Sequence, residues 1–482
     1  MGKRSRRLER KEKRLKRMKT VNGVLSTAAG GFGFVNAADG TEVFIPPSGM
    51  NGALDGDTVE TQITSERDER GPVGRVSRIL NRGREFMVCE LIDGHSARPL
   101  NRNISATIKI SGSLKGAKKG DWVKLRLLDS GSKYTESLRG AVEEPLEKAG
   151  TVYGDLLAVA REFDMPGPYT PELEAFAAKL QPLANVQRED LSSLFTVTID
   201  PKDAKDFDDA LSIEDGEKEW KIGVHIADVA AYVRPGTKLD REARRRAFSS
   251  YIPGMFRPML PRPLTQKISL RQDADSLAHT VILTVRKRDG AITSTRRTFS
   301  LIRVNHRLNY DEVQEFIDGT APETWTDELK NAVALLTKAT RKMRARRKRR
   351  EEFLSFDTPE IRVLCDEATH EIQGIERREQ RESDELVEEC MLAANSAVAE
   401  EISIANYAGI YRIHPEPEPE KLDEFTLFVA ALLKRMPGDL TNRKVCNEFL
   451  DHLPDDHRKY VITANFLRAM ARASYSPEPG LH

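Results

Sequence analysis

The sequence predicts a multi-domain α+β chain in which two small antiparallel β-barrels precede a larger domain of mixed strands and helices. Three observations carry this. At 482 residues with 39% hydrophobic content, the chain holds roughly three domains of about 150 residues each, with ample material for their cores. From residue 21 to about 148 the sequence alternates in short stretches punctuated by glycine, and thereafter helical segments set in. Gly56-Asp57-Thr58-Val59 and Gly120-Asp121-Trp122-Val123 stand at matching places before a late strand, the mark of a degenerate repeat.

Residues 1–20 form a basic arm. Eleven Lys and Arg against two Glu give residues 1–19 a local charge of +9, so the near-neutral total of +1 hides a body of −8. Such an arm on an acidic body suits contact with a polyanion. Residues 21–80 read as the first barrel, with strands near 23–26, 30–35, 42–45 and 57–63. Phe32, Phe34 and Phe44 are expected to project from neighbouring strands on one face, since residues two apart share a side. Residues 81–148 read as a second, weaker barrel, with strands near 86–92, 106–110 and 122–128.

The third domain, 149–482, is expected to have helices near 154–163, 171–184, 325–351, 383–402 and 419–435. Its strands are expected near 194–199, 220–226 and 281–285, the last turning through Asp289-Gly290 into 292–301 as a hairpin. A mean hydropathy of −0.51 and the lack of any apolar run of about 18 residues argue against membrane insertion. Cys89, Cys365, Cys390 and Cys446 are far apart with no Cys-x-x-Cys pair, which suggests neither a disulfide framework nor a zinc site. With no apolar leader, a cytoplasmic location is expected; a transit peptide would also be Arg-rich, but Glu9, Glu12 and the scarcity of Ser oppose it.

The densest chemistry is a run of five aspartates within ten residues: Asp200, Asp203, Asp206, Asp208 and Asp209. That much negative charge after a strand is costly unless a cation neutralises it, and hard oxygen ligands favour Mg²⁺ or Mn²⁺ over zinc. A calcium loop fits only in part, because counting from Asp206 the sixth position is Leu211 where glycine is required. The blander reading is a solvated acidic turn partnered by Lys202 and Lys205. His225, His279 and His414 are each isolated from a second His at ligand spacing, and His225, in an alternating strand, reads as structural. The nine basic residues between Lys338 and Arg350 leave two readings open, a solvated helix face or the wall of a nucleic-acid channel.

Beyond the aspartates an ordered series follows: Gly223-Val-His-Ile-Ala-Asp228, Ser249-Ser-Tyr-Ile-Pro-Gly254, Pro258-Met-Leu-Pro261, Leu308-Asn-Tyr-Asp-Glu-Val313, Phe356-Asp-Thr-Pro-Glu360, Leu386-Val-Glu-Glu-Cys390, Tyr411-Arg-Ile-His-Pro415 and Leu467-Arg-Ala-Met470. Together with the aspartate run it resembles the RNB catalytic domain of the ribonuclease II and ribonuclease R family of 3′-to-5′ exoribonucleases. Gly30-Gly-Phe-Gly-Phe-Val35 and Gly56-Asp57-Thr58-Val59 resemble the cold-shock, OB-type barrels that precede that domain. The resemblance covers roughly residues 20–482.

What the resemblance implies can be laid on the residues. Asp200, Asp206, Asp208 and Asp209 match the family's active-site aspartates, which hold divalent metal, Mg²⁺ or Mn²⁺, at the scissile phosphodiester. The position of Asp209 serves turnover more than binding, and Asp203 ranks below the four. Tyr251 matches the tyrosine that stacks on the terminal nucleotide; without the motif, a core tyrosine in a turn would be an equal reading. Tyr310 and Glu388 match positions near the RNA 3′ end, and Phe32, Phe34 and Phe44 would stack single-stranded bases. The expected function is processive, metal-dependent hydrolysis of single-stranded RNA to nucleoside 5′-monophosphates. The expected protein is a monomer with no membrane partner, working beside the ribosome or RNA-decay machinery.

The chain departs from the family pattern in two places. Residues 262–273 differ from its usual wording, and residues 475–482 match a stretch that in the family leads on to an essential arginine and a C-terminal S1 barrel. The catalytic domain therefore reads as incomplete, an interrupted form of a longer exoribonuclease with apolar surface left exposed. The alternative is a catalytically inactive homologue acting as an RNA-binding protein. A third class is a ribosome-associated protein using the arm alone.

Overall fold

The computed structural model describes residues 19–481 apart from 29, 38–39, 66–70, 103, 105–106, 129–137, 351–353, 355–359 and 367–368. The basic arm, apart from Lys19 and Thr20, and nearly all of the motif at 356–360 lie outside the described residues. The chain divides into two compact units, the first made of residues up to Pro168 with Phe248–Arg257 and Leu364–Gly374, the second of Tyr169–Ala247, Pro258–Val363 and Ile375–His482.

The first unit holds both barrels. Strands β1 (Thr20–Thr27), β2 (Gly33–Ala37), β3 (Glu42–Ile45), β4 (Thr58–Ser65) and β5 (Val73–Asn81) close in the order β1-β2-β3-β5-β4. Strands β6 (Phe86–Leu91), β7 (Ser96–Pro99), β8 (Ile108–Ile110), β9 (Asp121–Leu128) and β10 (Arg139–Lys148) close in the order β10-β8-β7-β6-β9, which is the same circuit. Each barrel has one parallel joint at the same place, β3 with β5 and β8 with β10.

The repeat seen in the sequence has a physical cause. Gly56 and Gly120 adopt φ of +81° and +86°, a left-handed turn that costs other residues energy. The next residue then reaches back: Asp57 accepts the Leu54 amide at 2.8 Å and Asp121 the Lys118 amide at 2.7 Å. Asp57, fully buried, also accepts from Arg82 at 2.7 Å and from the Gly83 amide at 2.9 Å, which ties the first barrel to the residues entering the second.

Strands β5, β7 and β10 were not anticipated. The ladder from β4 to β5 contains three register shifts, so the apolar residues Val73, Val76 and Ile79 fall three apart and lose the period of two. Helix α1 (Val152–Glu162) packs on the second barrel, where Glu162 accepts the Val88 amide at 2.9 Å and Asp155 accepts Trp122 Nε1 at 2.7 Å. Residue 148 thus ends a strand, and the compact unit continues to Pro168. The unit also carries the hairpin β15 (Ser250–Ile252) and β16 (Met255–Arg257).

The second unit is built on a seven-stranded sheet of β11 (Glu189–Asp190), β12 (Thr196–Asp200), β13 (Asp209–Asp215), β14 (Glu219–Ala227), β17 (Asp275–Arg286), β18 (Ile292–Arg303) and β19 (His306–Asn309). The order is β11-β18-β17-β14-β13-β12-β19. Helices α2 (Pro171–Lys179), α3 (Lys238–Arg246), α4 (Arg262–Ile268) and α5 (Tyr310–Ile317) surround it, and α6 (Asp327–Arg349) and α7 (Glu382–Ile404) share the core of Val197, Trp220, Ile222, Leu283 and Leu336. Strand β20 (Glu360–Cys365) pairs with β21 (Ile372–Arg378), and β22 (Tyr411–Ile413) with β23 (Ser474–Ser476). Helices α8 (Pro419–Leu433), α9 (Arg443–Asp451) and α10 (His457–Ala469) make a further core around Phe425, Phe449 and Phe466.

Five of the nine residues in the basic run on α6 have acidic partners. Arg341 pairs with Glu382, Arg344 with Glu385 at 2.7 Å and Arg347 with Glu389 at 2.8 Å, a ladder along α7, while Arg346 reaches Asp289 and Lys348 reaches Asp451. Charges three and four residues apart share a helix face, so two helices of opposite charge match rung for rung. Ile404, Tyr407, Ile410, Tyr475 and Leu481 are largely exposed. No helix among the described residues is long and apolar enough to cross a membrane, and the four cysteines are unpaired.

Candidate active site

Strand β12 is buried along its whole length, and Pro201 ends it directly after Asp200. The chain loops through residues 201–208 and returns antiparallel as β13, whose first residue is Asp209, opposite Ile226 of β14. Both ends of the acidic run thereby meet at one end of two adjacent strands. Asp200 is only 8% exposed, and its Oδ2 is buried with no hydrogen-bond partner. Burial pushes its pKa up to about 7; repulsion from Asp209 and Asp208 adds to this, while the nearby Thr198 hydroxyl and Arg307 oppose it.

Burial, then Asp208, likewise lifts Asp209 to about 6. At Asp208 the surrounding protein and Asp206 also push upward, although the side chain reaches solvent and water screens the effect. Asp206 is half-buried in the loop. The solvated-turn reading fails at Asp200 and Asp209, which are the two ends of the run.

Strand β19 lies parallel to β12, with Asn309 opposite Asp200. Asn309 caps α5 in a capping box with Glu312, so Tyr310, the first residue of that helix, is delivered beside the aspartates. Burial pushes the Tyr310 phenol up to about 12, helped by Asp209, Asp384 and Asp200 and opposed by Arg378. Arg378 lies 5.7 Å from the Tyr310 ring and donates to Asp384 at 2.7 Å. Glu388 is exposed, one helical turn beyond Asp384 on the same face of α7, and accepts Gln380 Nε2 at 2.6 Å. Its neighbour Glu389 is instead buried and held by Arg347.

Tyr251 belongs to the first unit, on the β15–β16 hairpin. It is 76% exposed with its ring stacked on Phe256 at 4.8 Å, so it is not a core tyrosine. Phe34 and Phe44 are cross-strand partners, and with Phe32 they form a partly exposed aromatic patch with centroids 5.5–5.9 Å apart. His225 is fully buried, between Ser212 Oγ at 2.9 Å and Thr280 Oγ1 at 2.8 Å. That makes it structural.

The donor set fits a hard divalent cation. A buried carboxylate oxygen without a partner, on a side chain whose pKa two further carboxylates, Asp209 and Asp208, push up, is a place where positive charge is wanted. Among the described residues no three His, Cys, Asp or Glu side chains form a ready cage. Mg²⁺ does not require one, since it keeps several waters and takes one or two carboxylates together with substrate phosphate.

Two arginines not singled out by the sequence also reach this loop. Arg307 of β19 lies with its guanidinium 4.4 Å from the Phe207 ring and donates to the carbonyls of Lys202 and Ala204. Arg362 of β20 pairs with Asp203. Neither partnership has a sequence signal, because each joins residues more than a hundred positions apart.

Residues 188–482 match the RNB domain, and residues 23–79 match the ribonuclease B OB domain. The chain is 31% identical over 477 residues to ribonuclease R of Aquifex aeolicus, covering 95% of this chain and 66% of that protein. It is 32% identical over 473 residues to ribonuclease R of Chlamydia pneumoniae, covering 93% and 68%. It therefore spans about two-thirds of the length of these curated relatives. Among solved structures, Mycoplasma genitalium RNase R in complex with ribose methylated single-stranded RNA superposes with a TM-score of 0.86 at 22% identity, over 96% of this chain and 74% of that one. Fold and sequence agree: the chain belongs to the ribonuclease II and ribonuclease R family, with OB-type barrels ahead of an RNB domain.

Proposed function

We propose that the chain is a metal-dependent 3′-to-5′ exoribonuclease that shortens single-stranded RNA processively and releases nucleoside 5′-monophosphates. The observation that carries this is the unpartnered, buried Oδ2 of Asp200 facing a crowd of carboxylates at the end of β12. The relatives named ribonuclease R and the RNA-bound M. genitalium enzyme support the same reading. Asp200, Asp206, Asp208 and Asp209 would hold Mg²⁺ or Mn²⁺, which supplies an activated water and offsets charge on the leaving 3′ oxygen.

The other groups have separable tasks. With its phenol pushed up to about 12, Tyr310 stays protonated at neutral pH and donates a hydrogen bond towards a phosphate oxygen. Glu388, one turn along α7 from Asp384, orients the terminal nucleotide. Tyr251 offers an exposed ring face to a base, and Phe32, Phe34 and Phe44 offer another; stacking accepts every base, as a processive enzyme requires. Four unpaired cysteines suit a reducing cytoplasm.

The test is digestion of 5′-labelled and 3′-labelled RNA with Mg²⁺, with Mn²⁺ and with EDTA, in parent and Asp209→Asn proteins. The expected result is a mononucleotide from the 3′ label and a progressively shortened 5′-labelled strand, both abolished by EDTA and by the substitution. Internal cleavage, or shortening that ignores EDTA, would overturn the proposal.

A further inference from the structure

The loop that carries the aspartates has little structure of its own. Between Asp200 and Asp209 its internal backbone bond is Ala204 N to Pro201 O at 2.9 Å, and its carboxylates repel one another. Its shape is imposed from outside. Ser269 Oγ accepts the Phe207 amide at 3.2 Å, the Leu270 amide donates to the Phe207 carbonyl at 2.8 Å, and the Ala227 amide donates to the Asp208 carbonyl at 2.9 Å. These contacts hold the end of the loop nearest β13.

The beginning of the loop is held by two arginines. Arg307 Nη2 donates to the carbonyls of Lys202 at 3.3 Å and Ala204 at 3.4 Å, and its guanidinium lies over the Phe207 ring. Both bonds are long and leave from one nitrogen, so the grip depends on them and on the stacking acting together. The Arg307 amide is itself fixed, by Gln272 Oε1 at 3.2 Å, on a strand paired with β12. Arg362 reaches the same segment from β20 and pairs with Asp203, the aspartate the family pattern ranks below the other four. The hydrogen bonds of the two arginines go to residues 202–204 of the loop, while the Arg307 charge is also felt at Asp200.

We propose that Arg307 and Arg362 are positioning residues that clamp residues 202–207 so that the flanking aspartates converge on a divalent cation. The inference rests on the metal-dependent reading above and adds what makes the loop competent to bind. It also predicts an unusual sign. A guanidinium that was merely a neighbour would repel the metal, and removing it would tighten binding. A clamp, once removed, loosens binding even though a positive charge has gone.

The experiment is a Mn²⁺ titration followed by electron paramagnetic resonance on the full chain. The parent is compared with Arg307→Met, Arg307→Lys, Arg362→Met and Asp209→Asn, and with Arg296→Met as a control that removes a positive charge from the distant β18. Circular dichroism and thermal midpoints confirm that each variant folds. Arg307→Met is expected to weaken Mn²⁺ at least tenfold, and Arg307→Lys nearly as much, because lysine keeps the charge but not the planar guanidinium that lies over Phe207. Arg362→Met, a surface substitution with little risk to folding, is expected to weaken Mn²⁺ about threefold, since an exposed pair holds its partners weakly, and Arg296→Met to change nothing.

Mn²⁺ affinity that is unchanged or tighter in both Arg307→Met and Arg362→Met, with the parent binding normally, overturns the clamp. So does an Arg307→Met variant that loses only RNA affinity and is rescued by Arg307→Lys, which would make Arg307 a phosphate contact. If the parent and Asp209→Asn bind Mn²⁺ alike, the metal reading has failed and the clamp falls with it. That outcome is distinct from the others because the parent itself reports it.

Discussion

Acidification should weaken the RNB sheet through one buried imidazole. His225 sits on β14 between Ser212 of β13 and Thr280 of β17, and Thr280 in turn bonds Ser300 of β18 at 2.6 Å, so a polar chain crosses four adjacent strands. Burial lowers the imidazole from 6.5 to about 4, because a cation there would have no water. The unfolded chain binds the proton more readily, so this contribution is complete above the ordinary pKa of 6.5 and is lost as pH falls towards 4. At about 1.4 kcal/mol per pH unit the whole interval is worth about 3 kcal/mol, of which about 2 kcal/mol disappears between pH 7 and pH 5.

Asp200 and Asp209 act in the opposite sense. Their raised folded pKa values favour the fold at low pH and disfavour it as pH rises through about 6 to 7, so a single pH profile would mix the two effects. The assay is therefore a difference: urea unfolding, followed by tryptophan fluorescence, to which the buried Trp220 of the same sheet contributes, at pH 7 and pH 5 for parent and His225→Gln. The parent should lose about 2 kcal/mol more than the variant over that interval. Equal losses would refute the assignment of His225 as a neutral buried group.

Three further outcomes are expected. Tyr251→Ala should weaken binding of a short RNA by about 1–3 kcal/mol in a fluorescence titration, with Tyr251→Phe close to the parent, because the ring face and not the hydroxyl does the stacking. The double variant Phe34→Ala, Phe44→Ala should lower RNA affinity by a similar amount while leaving the thermal midpoint nearly unchanged, since all three rings of that patch are partly exposed. On the ion-pair ladder, Arg347→Met strands the buried carboxylate of Glu389 and should cost about 3–5 kcal/mol in urea unfolding, whereas Arg341→Met, on an exposed rung, should cost below about 1 kcal/mol.

Where the sequence could be read, a local physical requirement stood behind it. Gly56-Asp57 and Gly120-Asp121 were legible as a repeat because a left-handed glycine and a back-reaching aspartate are needed at both turns. The aspartate run was legible because charge of one sign so closely spaced demands an explanation. Strand β5 was not, since its bulges erase the period of two, and α9 and α10 were not, their starts being marked mainly by the Asn442 and Asp456 caps.

The basic stretch of α6 could not be assigned because its partners on α7 lie about forty residues away, and nothing local says that they will meet. Arg307 was invisible for the same reason, compounded by a parallel strand pairing that only the folded sheet creates. Tyr251 illustrates a third limit. Its sequence surroundings suit a core turn and an exposed platform equally, and exposure is a tertiary fact.

The ladder between α6 and α7 also governs how the chain responds to ionic strength. Its outer rung, Arg341 with Glu382, has side chains 58% and 31% exposed and is open to screening by dissolved ions. The inner rung ends on Glu389, 3% exposed, where mobile ions do not penetrate. Helix docking is thus anchored on its dry side, whereas any hold on a polyanion is exchanged directly for counterions. Added salt should strip nucleic acid from the surface well before it separates the helices, so a binding curve measured against salt concentration counts phosphates on an intact fold.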